Sequence, residues 1–258
     1  MSDEGPTTVR RTDGRGFATL VLDRPPLNVL STAMMRELAR EVERASVDRA
    51  VNGIQIRGAG RAFSAGVDMA DHTADKAGDM MDAFVAMLRA VDMAAVPVVA
   101  AVHGHCLGGG LELAACCDLV YAGAGAKLGQ PEVKVGVFPP AAVVAYPSRI
   151  GVRATAEIVF LGETFSAARG KEIGLVNDVF GDDDVFAKAD EVCAKLGELS
   201  RPVLALAKRA LREAAPPIDP RALESLRRLY LGELMALEDA NEGLRAFAER
   251  RRPVFKGH

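Results

Sequence analysis

The chain has little cysteine, little net charge and no long uninterrupted apolar run. None of its cysteines forms a CxxC pair, which argues against a disulfide framework and favours buried reduced thiols. The four cysteines are Cys106, Cys116, Cys117 and Cys193. The formal net charge of −3 argues against a broad nucleic-acid-binding surface, which would be basic. It leaves room for an anionic ligand, because a few local arginines are enough to hold phosphates.

Neither a membrane span nor a secretion signal is visible in the sequence. The longest apolar stretch, from Val96 to Ala122, is interrupted by glycines and by Glu112 and Asp118. A membrane span needs about 20 nearly uninterrupted apolar residues. Residues Met1 to Arg15 contain no apolar segment of the kind found in signal peptides. We therefore expect a cytoplasmic protein with neither a membrane nor a nucleic acid as its partner.

Strand-like runs alternate with helical patterns along the first two thirds of the chain, which predicts an α/β fold. Phe17–Leu22 is typical of a strand, and the continuous apolar run Val98–Val102 is typical of a strand buried on both faces. Ser31–Ser46 and Met80–Met93 carry apolar residues at helical spacing.

The strand pattern disappears from about Gly181 onward, and helical spacing takes its place. The predicted helices are Asp184–Leu199, Val203–Ala215 and one long helix, Arg221–Arg250, with breaks at Pro202 and at Pro216-Pro217. The sequence thus predicts an α/β core over residues 1–180 and a helical C-terminal region over residues 181–258. A terminal helix of this length usually packs on its own core or on a neighbouring subunit.

Two glycine-containing segments stand next to predicted strands. Arg61–Met69 follows one strand, and His103–Leu113 lies between a strand and a helix. Neither matches GxGxxG or a P-loop, which disfavours a nucleotide-phosphate site. Two interpretations of these glycines remain open. They allow tight packing of a helix on a strand, or they bring one N–H group from each segment to a single carbonyl oxygen as an oxyanion hole.

Two glutamates lie in apolar surroundings, Glu112 within Leu111–Ala115 and Glu132 within Leu128–Val133. Burying an acid costs free energy unless it is paired, so one interpretation is a structural salt bridge for each. The other is a catalytic pair, since two carboxylates beside one substrate can act as acid and base with different pKa values. His103 lies close to His105 and Cys106, but no further ligand is spaced to complete a metal site, and we expect structural histidines.

Several segments, in the order of the chain, resemble motifs of the enoyl-CoA hydratase/isomerase (crotonase) superfamily. They are Leu22–Leu30, Ala62–Met69, Ala101–Ala114, Leu128–Glu132, Asn241–Phe247 and Arg251–Phe255. The resemblance implies a crotonase-like core, a spiral of ββα units, followed by helices that take part in trimerisation. It also implies an acyl-CoA thioester as substrate, and a homotrimer that often pairs into a hexamer.

The resemblance assigns a role to four residues of the reacting centre. The N–H groups of Val67 and Gly109 would bind the thioester oxygen, where negative charge develops. Glu112 would hold and deprotonate the water that attacks Cβ, and Glu132 would deliver a proton to Cα. Because both glutamates are present, the sequence favours an enoyl-CoA hydratase, a carbon–oxygen lyase.

The resemblance also implies how coenzyme A is held. Ala65 and Asp68 would border the path of the adenine and pantetheine groups, and Arg24 would be a weaker phosphate contact. Coenzyme A is part of the substrate, and the implied chemistry needs no metal and no redox cofactor.

One segment departs from the usual hydratase pattern. Val137–Pro147 lacks a glycine pair and is similar to hydratases of cyclic dienoyl-CoA esters, such as cyclohexa-1,5-diene-1-carbonyl-CoA. A cyclic substrate therefore stands as an alternative to a linear enoyl-CoA. Two further alternatives are a double-bond isomerase, which would use a single glutamate, most simply Glu132, and a catalytically silent acyl-CoA-binding protein. Both glutamates being intact argues against the last.

Overall fold

The computed structural model describes residues 8–73, 75–214 and 220–258. In these ranges the strands are β1 (Val9–Asp13), β2 (Phe17–Leu22), β3 (Gly53–Gly58), β4 (Ala62–Ser64), β5 (Val98–Val102), β6 (His105–Leu107), β7 (Leu119–Gly123), β8 (Lys127–Gly129), β9 (Thr164–Ser166) and β10 (Asp178–Phe180). The α-helices are α1 (Thr32–Val47), α2 (Ala77–Met93), α3 (Gly109–Cys116), α4 (Pro140–Leu161), α5 (Ala167–Glu172), α6 (Val185–Gly197), α7 (Arg201–Ala214), α8 (Pro220–Arg228) and α9 (Glu238–Ala248).

The strands form two sheets. The larger sheet has the order β1-β2-β3-β5-β7-β10, and its strands are parallel except for β1, which is antiparallel to β2. The smaller sheet has the order β4-β6-β8-β9, in which β4, β6 and β8 are parallel and β9 is antiparallel to β8. The α/β class predicted from the alternating pattern is confirmed.

A unit of two strands and one helix recurs along the chain. In β3-β4-α2, β5-β6-α3 and β7-β8-α4, the first strand joins the larger sheet, the second joins the smaller sheet, and the helix returns the chain. This is the ββα spiral that the resemblance implied. Because β4, β6 and β8 are parallel neighbours, their carboxyl ends meet at one edge of the smaller sheet. The three segments that follow these strands are thereby brought together.

Local sequence accounts for the elements that were predicted well. The backbone N–H of Met34 donates to the side chain of Ser31, which caps α1, and the apolar residues of α1 turn inward at helical spacing. All five residues of β5 are buried, as its continuous apolar run predicted. All four cysteines are buried and reduced, which confirms their predicted state.

The predicted long helix Arg221–Arg250 is wrong, because the segment is divided. After α8 the chain forms a π-helical turn, Leu229–Glu233, and a 3-10 turn, Leu234–Ala236, and Leu237 is extended before α9 begins. The Asn241 side chain donates to the carbonyl of Leu237 at 2.9 Å and stabilises the break. Apolar residues keep their helical spacing across the break, so the sequence pattern did not reveal it. Pro216-Pro217 lie outside the described residues.

The last strand of the described residues ends at Phe180, where the strand pattern of the sequence ends. Helix α6 then packs on β3 and β5 of the larger sheet, and the Gln55 side chain donates to Asp190 at 2.8 Å. A domain boundary at residue 180 stays a prediction. None of the described helices combines the length and the apolar character needed to cross a bilayer.

Candidate active site

The carboxyl ends of β4, β6 and β8 surround a cavity of about 430 Å³. The segment after β4 contributes Val67, the segment after β6 contributes Gly109 and Glu112, and the segment after β8 contributes Glu132. These residues lie far apart in sequence, and the parallel register of the smaller sheet brings them to one place.

Two backbone N–H groups at the cavity have no hydrogen-bond partner in the described ranges. Leu30 pairs with the chain around Val67, but the bonds run to the carbonyl of Gly66 and from the N–H of Asp68. Gly109 is the first residue of α3, where an N–H group has no acceptor within its own helix. Among the described residues neither the N–H of Val67 nor that of Gly109 has an acceptor.

The backbone of Gly109 packs closely against Val67. A Cβ atom placed on Gly109 would lie 3.6 Å from the Val67 nitrogen and 2.6 Å from the Val67 Cγ2. The positive end of the α3 dipole adds to the field at this point. The glycine segments were interpreted either as sites of close packing or as a source of free N–H donors. The structure is compatible with both at once. A pair of such donors can stabilise negative charge on a carbonyl oxygen.

Glu112 is buried, and its Oε1 accepts the N–H groups of Ala141 and Ala142 at 2.6 and 2.8 Å. These donors belong to the first turn of α4, which has free N–H groups for the same reason as α3. Burial raises the pKa of Glu112 to about 7, and the two hydrogen bonds oppose that rise.

Glu132 lies on a 3-10 helix, Pro131–Val135, and its carboxyl group approaches the glycine turn at Gly108. Burial and then the negative charge of Glu112 raise the pKa of Glu132 well above its ordinary value. Neither glutamate forms an ion pair with a described residue, so the structural salt bridges considered for these acids are absent from the described part of the chain.

A buried side-chain relay positions Glu132. With the amide of Gln130 oriented by its hydrogen-bond network, its nitrogen donates to the Glu132 carboxylate at 3.1 and 3.2 Å. The Gln130 oxygen accepts from the Tyr146 hydroxyl group at 2.5 Å. Both residues are fully buried, so the relay holds the carboxylate in one orientation. Gln130 lies within one of the family-like motifs, but the sequence indicated no role for it or for Tyr146.

The two glutamates differ in a way that separates acid from base. Two N–H donors favour the ionised form of Glu112, whereas the charge of Glu112 disfavours ionisation of Glu132. As pH rises, Glu112 therefore loses its proton first and Glu132 keeps its proton longer. The pair can remove a proton at one atom and supply one at another.

Of the other predicted site residues, Ala65 and Asp68 line the cavity, but Arg24 is not among the lining residues. The Arg24 guanidinium donates to the Asp68 carboxylate at 2.8 Å and to the carbonyl of Val29 at 2.9 Å. Its role as a phosphate contact stays a prediction.

The histidines near β6 lie away from the cavity. The ring of His103 contacts the carbonyl of Gly60 at 2.9 Å and lies edge-on against Phe186, while His105 is exposed. Within the described ranges no group of three or more His, Cys, Asp or Glu side chains is arranged to hold a metal ion.

Helix α9 packs directly on the segment that carries Glu132. A Cβ atom on Gly243 of α9 would collide with the carbonyl group of Val135, and neither side of this contact is a flexible side chain. The position of Glu132 thus depends on a helix that follows it by about a hundred residues.

We expect Gly243→Ala to lower both the free energy of unfolding, by roughly 1–3 kcal/mol, and kcat, because the added methyl group pushes the 3-10 helix and Glu132 away from the cavity. Thermal unfolding and steady-state kinetics measure the two effects. Gly232→Ala is the matched control, since a Cβ atom there meets nothing within 4 Å. Equal stability and equal kcat in the two variants would contradict the proposal that α9 holds Glu132 in place.

Comparisons with known proteins show which family the chain resembles. A family model described as enoyl-CoA hydratase/isomerase matches residues 12–258. The cyclohexa-1,5-dienecarbonyl-CoA hydratase of Thauera aromatica is 35% identical over 232 residues, which cover 90% of each chain. The 2,3-dehydroadipyl-CoA hydratase of Escherichia coli K12 is 34% identical over 241 residues, 92% of this chain and 94% of that one. The crystal structure of an enoyl-CoA hydratase from Mycobacterium avium subsp. paratuberculosis K-10 superposes with a TM-score of 0.85 at 29% identity, covering 97% of this chain and 99% of that one.

Proposed function

We propose that this chain, which belongs to the enoyl-CoA hydratase/isomerase family, is a hydratase that adds water across the α,β double bond of an acyl-CoA thioester. The observation that carries the proposal is the arrangement at the cavity, where two unpaired N–H groups and two carboxyl groups with different environments surround one space. Coenzyme A enters as part of the substrate. We propose no separate cofactor, because an acid, a base and oxyanion donors supply the chemistry of hydration.

In the proposed reaction the N–H groups of Val67 and Gly109 hold the thioester oxygen and make Cβ electrophilic. Glu112 takes a proton from water while the water oxygen forms its bond to Cβ, and the electrons of the double bond move toward the thioester oxygen. Glu132 then gives its proton to Cα. Negative charge on the oxygen is stabilised by donors that are already in place and need no reorganisation.

Turnover in water labelled with oxygen-18 tests the proposal. Incorporation of one labelled oxygen into a 3-hydroxyacyl-CoA product is the expected result. Migration of the double bond without labelled oxygen would instead show an isomerase, and binding of the ester without any turnover would show a catalytically silent member of the family.

We expect kcat/KM for hydration to follow a bell-shaped pH profile. Activity falls on the acid side as Glu112 is protonated, at a pH well above the ordinary pKa of a glutamate, because burial raises its pKa to about 7. Activity falls on the alkaline side as Glu132 loses its proton, since burial and the negative charge of Glu112 hold its pKa well above the ordinary value. Initial rates across buffers of constant ionic strength measure both limbs, with circular dichroism as the control for unfolding. A profile whose acid limb lies near pH 4.5, where an unperturbed glutamate titrates, would contradict the assignment.

A cyclic dienoyl-CoA ester is a second candidate substrate. It is favoured by the identity to the hydratase of Thauera aromatica and by the start of α4, where Pro139 and Pro140 occupy a segment in which hydratases are expected to carry glycines. The acyl cavity is mostly apolar and includes Met81, Phe84 and Phe138. A turnover screen across short, long, branched and cyclic enoyl-CoA esters separates the candidates, since the preferred class shows the highest kcat/KM.

We also propose that the protein assembles as a homotrimer, or as a hexamer of two trimers. Helix α7 supports this proposal, because it exposes Val203, Leu206 and Leu211, all more than half accessible. Exposed large apolar side chains on one helix favour an interaction surface. Sedimentation velocity measures the subunit count, and a monomer at all concentrations would contradict the proposal.

A further inference from the structure

Tyr230 occupies a place in the cavity that its sequence position did not suggest. It lies in the predicted C-terminal helix, which was expected to pack on the core or on a neighbouring subunit, and it is only 2% exposed. Yet Tyr230 lines the same cavity as Glu112 and Glu132. Its ring stands edge-on against Phe138, another residue that lines the cavity, with ring centroids 5.3 Å apart.

The hydroxyl group of Tyr230 has no partner within the part of the chain that the structure describes. The chain has three tyrosines, and the hydroxyl group of buried Tyr146 is bonded to Gln130. Since Tyr230 lines the cavity and its hydroxyl oxygen keeps some accessible surface, a ligand in the cavity can reach this group and form a hydrogen bond with it. Tyr230 also lies on a π-helical turn, Leu229–Glu233, an irregularity that is rare and often found at functional sites.

The phenol shares the cavity with both carboxyl groups. Burial raises the pKa of Tyr230, and the negative charges of Glu132 and then of Glu112 raise it further. The hydroxyl group therefore keeps its proton throughout the working range of the enzyme. It is a constant hydrogen-bond donor next to the two groups that handle the water molecule.

We infer that the Tyr230 hydroxyl group donates a hydrogen bond to the oxygen atom that is added to Cβ. This inference rests on the proposed hydratase function. A water molecule that directs its two hydrogens at two carboxyl groups has two lone pairs left. One lone pair forms the bond to Cβ, and the other accepts from the phenol. In the product the same donor binds the new hydroxyl group, and Tyr230 itself neither loses nor gains a proton.

Tyr230 would thus position the nucleophile and distinguish hydroxylated from saturated acyl groups. Three other polar groups of the cavity have a contact or an assigned role. The N–H groups of Val67 and Gly109 are assigned to the thioester oxygen, and Nδ1 of His72 contacts the carbonyl of Asp68 at 3.0 Å.

Binding of a saturated ester and of 3-hydroxylated esters to the full-length Tyr230→Phe variant tests the inference. The probes are butyryl-CoA and the two enantiomers of 3-hydroxybutyryl-CoA, each measured by calorimetry. Because only the hydroxyl group is removed, we expect the better-bound hydroxy ester to lose affinity by about threefold to tenfold, whereas butyryl-CoA binds as in the wild type. We also expect kcat for crotonyl-CoA to fall about tenfold while KM changes little.

Tyr121→Phe is the matched control, since it removes the same atom from a tyrosine of β7 that is not among the residues lining the cavity. Wild-type affinity for the hydroxy esters in Tyr230→Phe, or an equal loss for butyryl-CoA, would overturn the inference, because the first denies the hydrogen bond and the second shows a packing role alone. The proposed function fails separately if the wild type hydrates no enoyl-CoA ester.

Discussion

Replacing either Glu112 or Glu132 by glutamine is expected to lower kcat for hydration by about 10²–10⁴, because each variant removes a proton transfer from the transition state. Glutamine keeps the size of the side chain and can still accept a hydrogen bond, so the loss reports on the missing proton chemistry. Steady-state hydration of a series of enoyl-CoA esters measures the effect. KM should change little, since the thioester is held by backbone N–H groups.

The double variant is expected to have a kcat only slightly lower than that of the less active single variant, since the two groups act in one reaction. Glu43→Gln, on the exposed side of α1, is the control and should keep wild-type activity. If either site variant retained full turnover with every ester that the wild type hydrates, the assignment of that glutamate as acid or base would be wrong.

Glu112→Gln is also expected to change stability, in the opposite direction to activity. The raised pKa of Glu112 means that its charged form is unfavourable in the folded state. The stability that the protonated form provides is fully present below pH 4.5 and is lost as pH rises toward about 7. The glutamine variant carries no such charge, so at alkaline pH its free energy of unfolding should exceed that of the wild type by roughly 1–3 kcal/mol.

Urea unfolding at an acidic and at an alkaline pH measures this difference. The free energies of unfolding of the two proteins should become equal as the pH falls below the ordinary pKa of a glutamate. A constant difference at both pH values would show that the substitution acts through packing and not through the buried charge.

Gly108→Ala is expected to have the second large effect, because one methyl group disturbs both the backbone and the catalytic carboxyl group. Gly108 has φ +52, which is strained for any residue with a Cβ atom and costs about 1–3 kcal/mol. The added Cβ atom would lie 2.7 Å from Oε1 of Glu132 and would push that oxygen from its place. Since a displacement of about 1 Å can cost a hundredfold in rate, we expect a fall of that order in kcat.

Thermal unfolding and hydration kinetics together measure the two consequences of Gly108→Ala. Gly78→Ala, in α2, is the control, since a Cβ atom there meets nothing within 4 Å, and alanine is the better helix former. The control should be slightly more stable than the wild type and fully active. A Gly108→Ala variant with wild-type kcat would show that the turn before α3 tolerates a side chain and that Glu132 is not confined by it.

The sequence alone predicted the class of fold and most of the reacting groups. Continuous apolar runs and helical spacing identified β2, β5, α1 and α2, because burial and periodicity are local properties of a segment. Its motifs also marked the two glycine segments and the two isolated glutamates. Strands such as β4, β6 and β8 escaped the pattern, since three residues are too few to show a period of two.

Only the tertiary structure decided which groups meet. The parallel register of β4, β6 and β8 brings the segments after them to one cavity, and this register depends on hydrogen bonds between residues distant in sequence. The relay from Tyr146 through Gln130 to Glu132, the support of Glu132 by α9 and the presence of Tyr230 beside both glutamates were likewise not visible in the chain. Each is a contact between separate elements. An apolar spacing places a side chain on the inner face of its helix, but only the packing of that helix decides whether the inner face meets the core or a substrate.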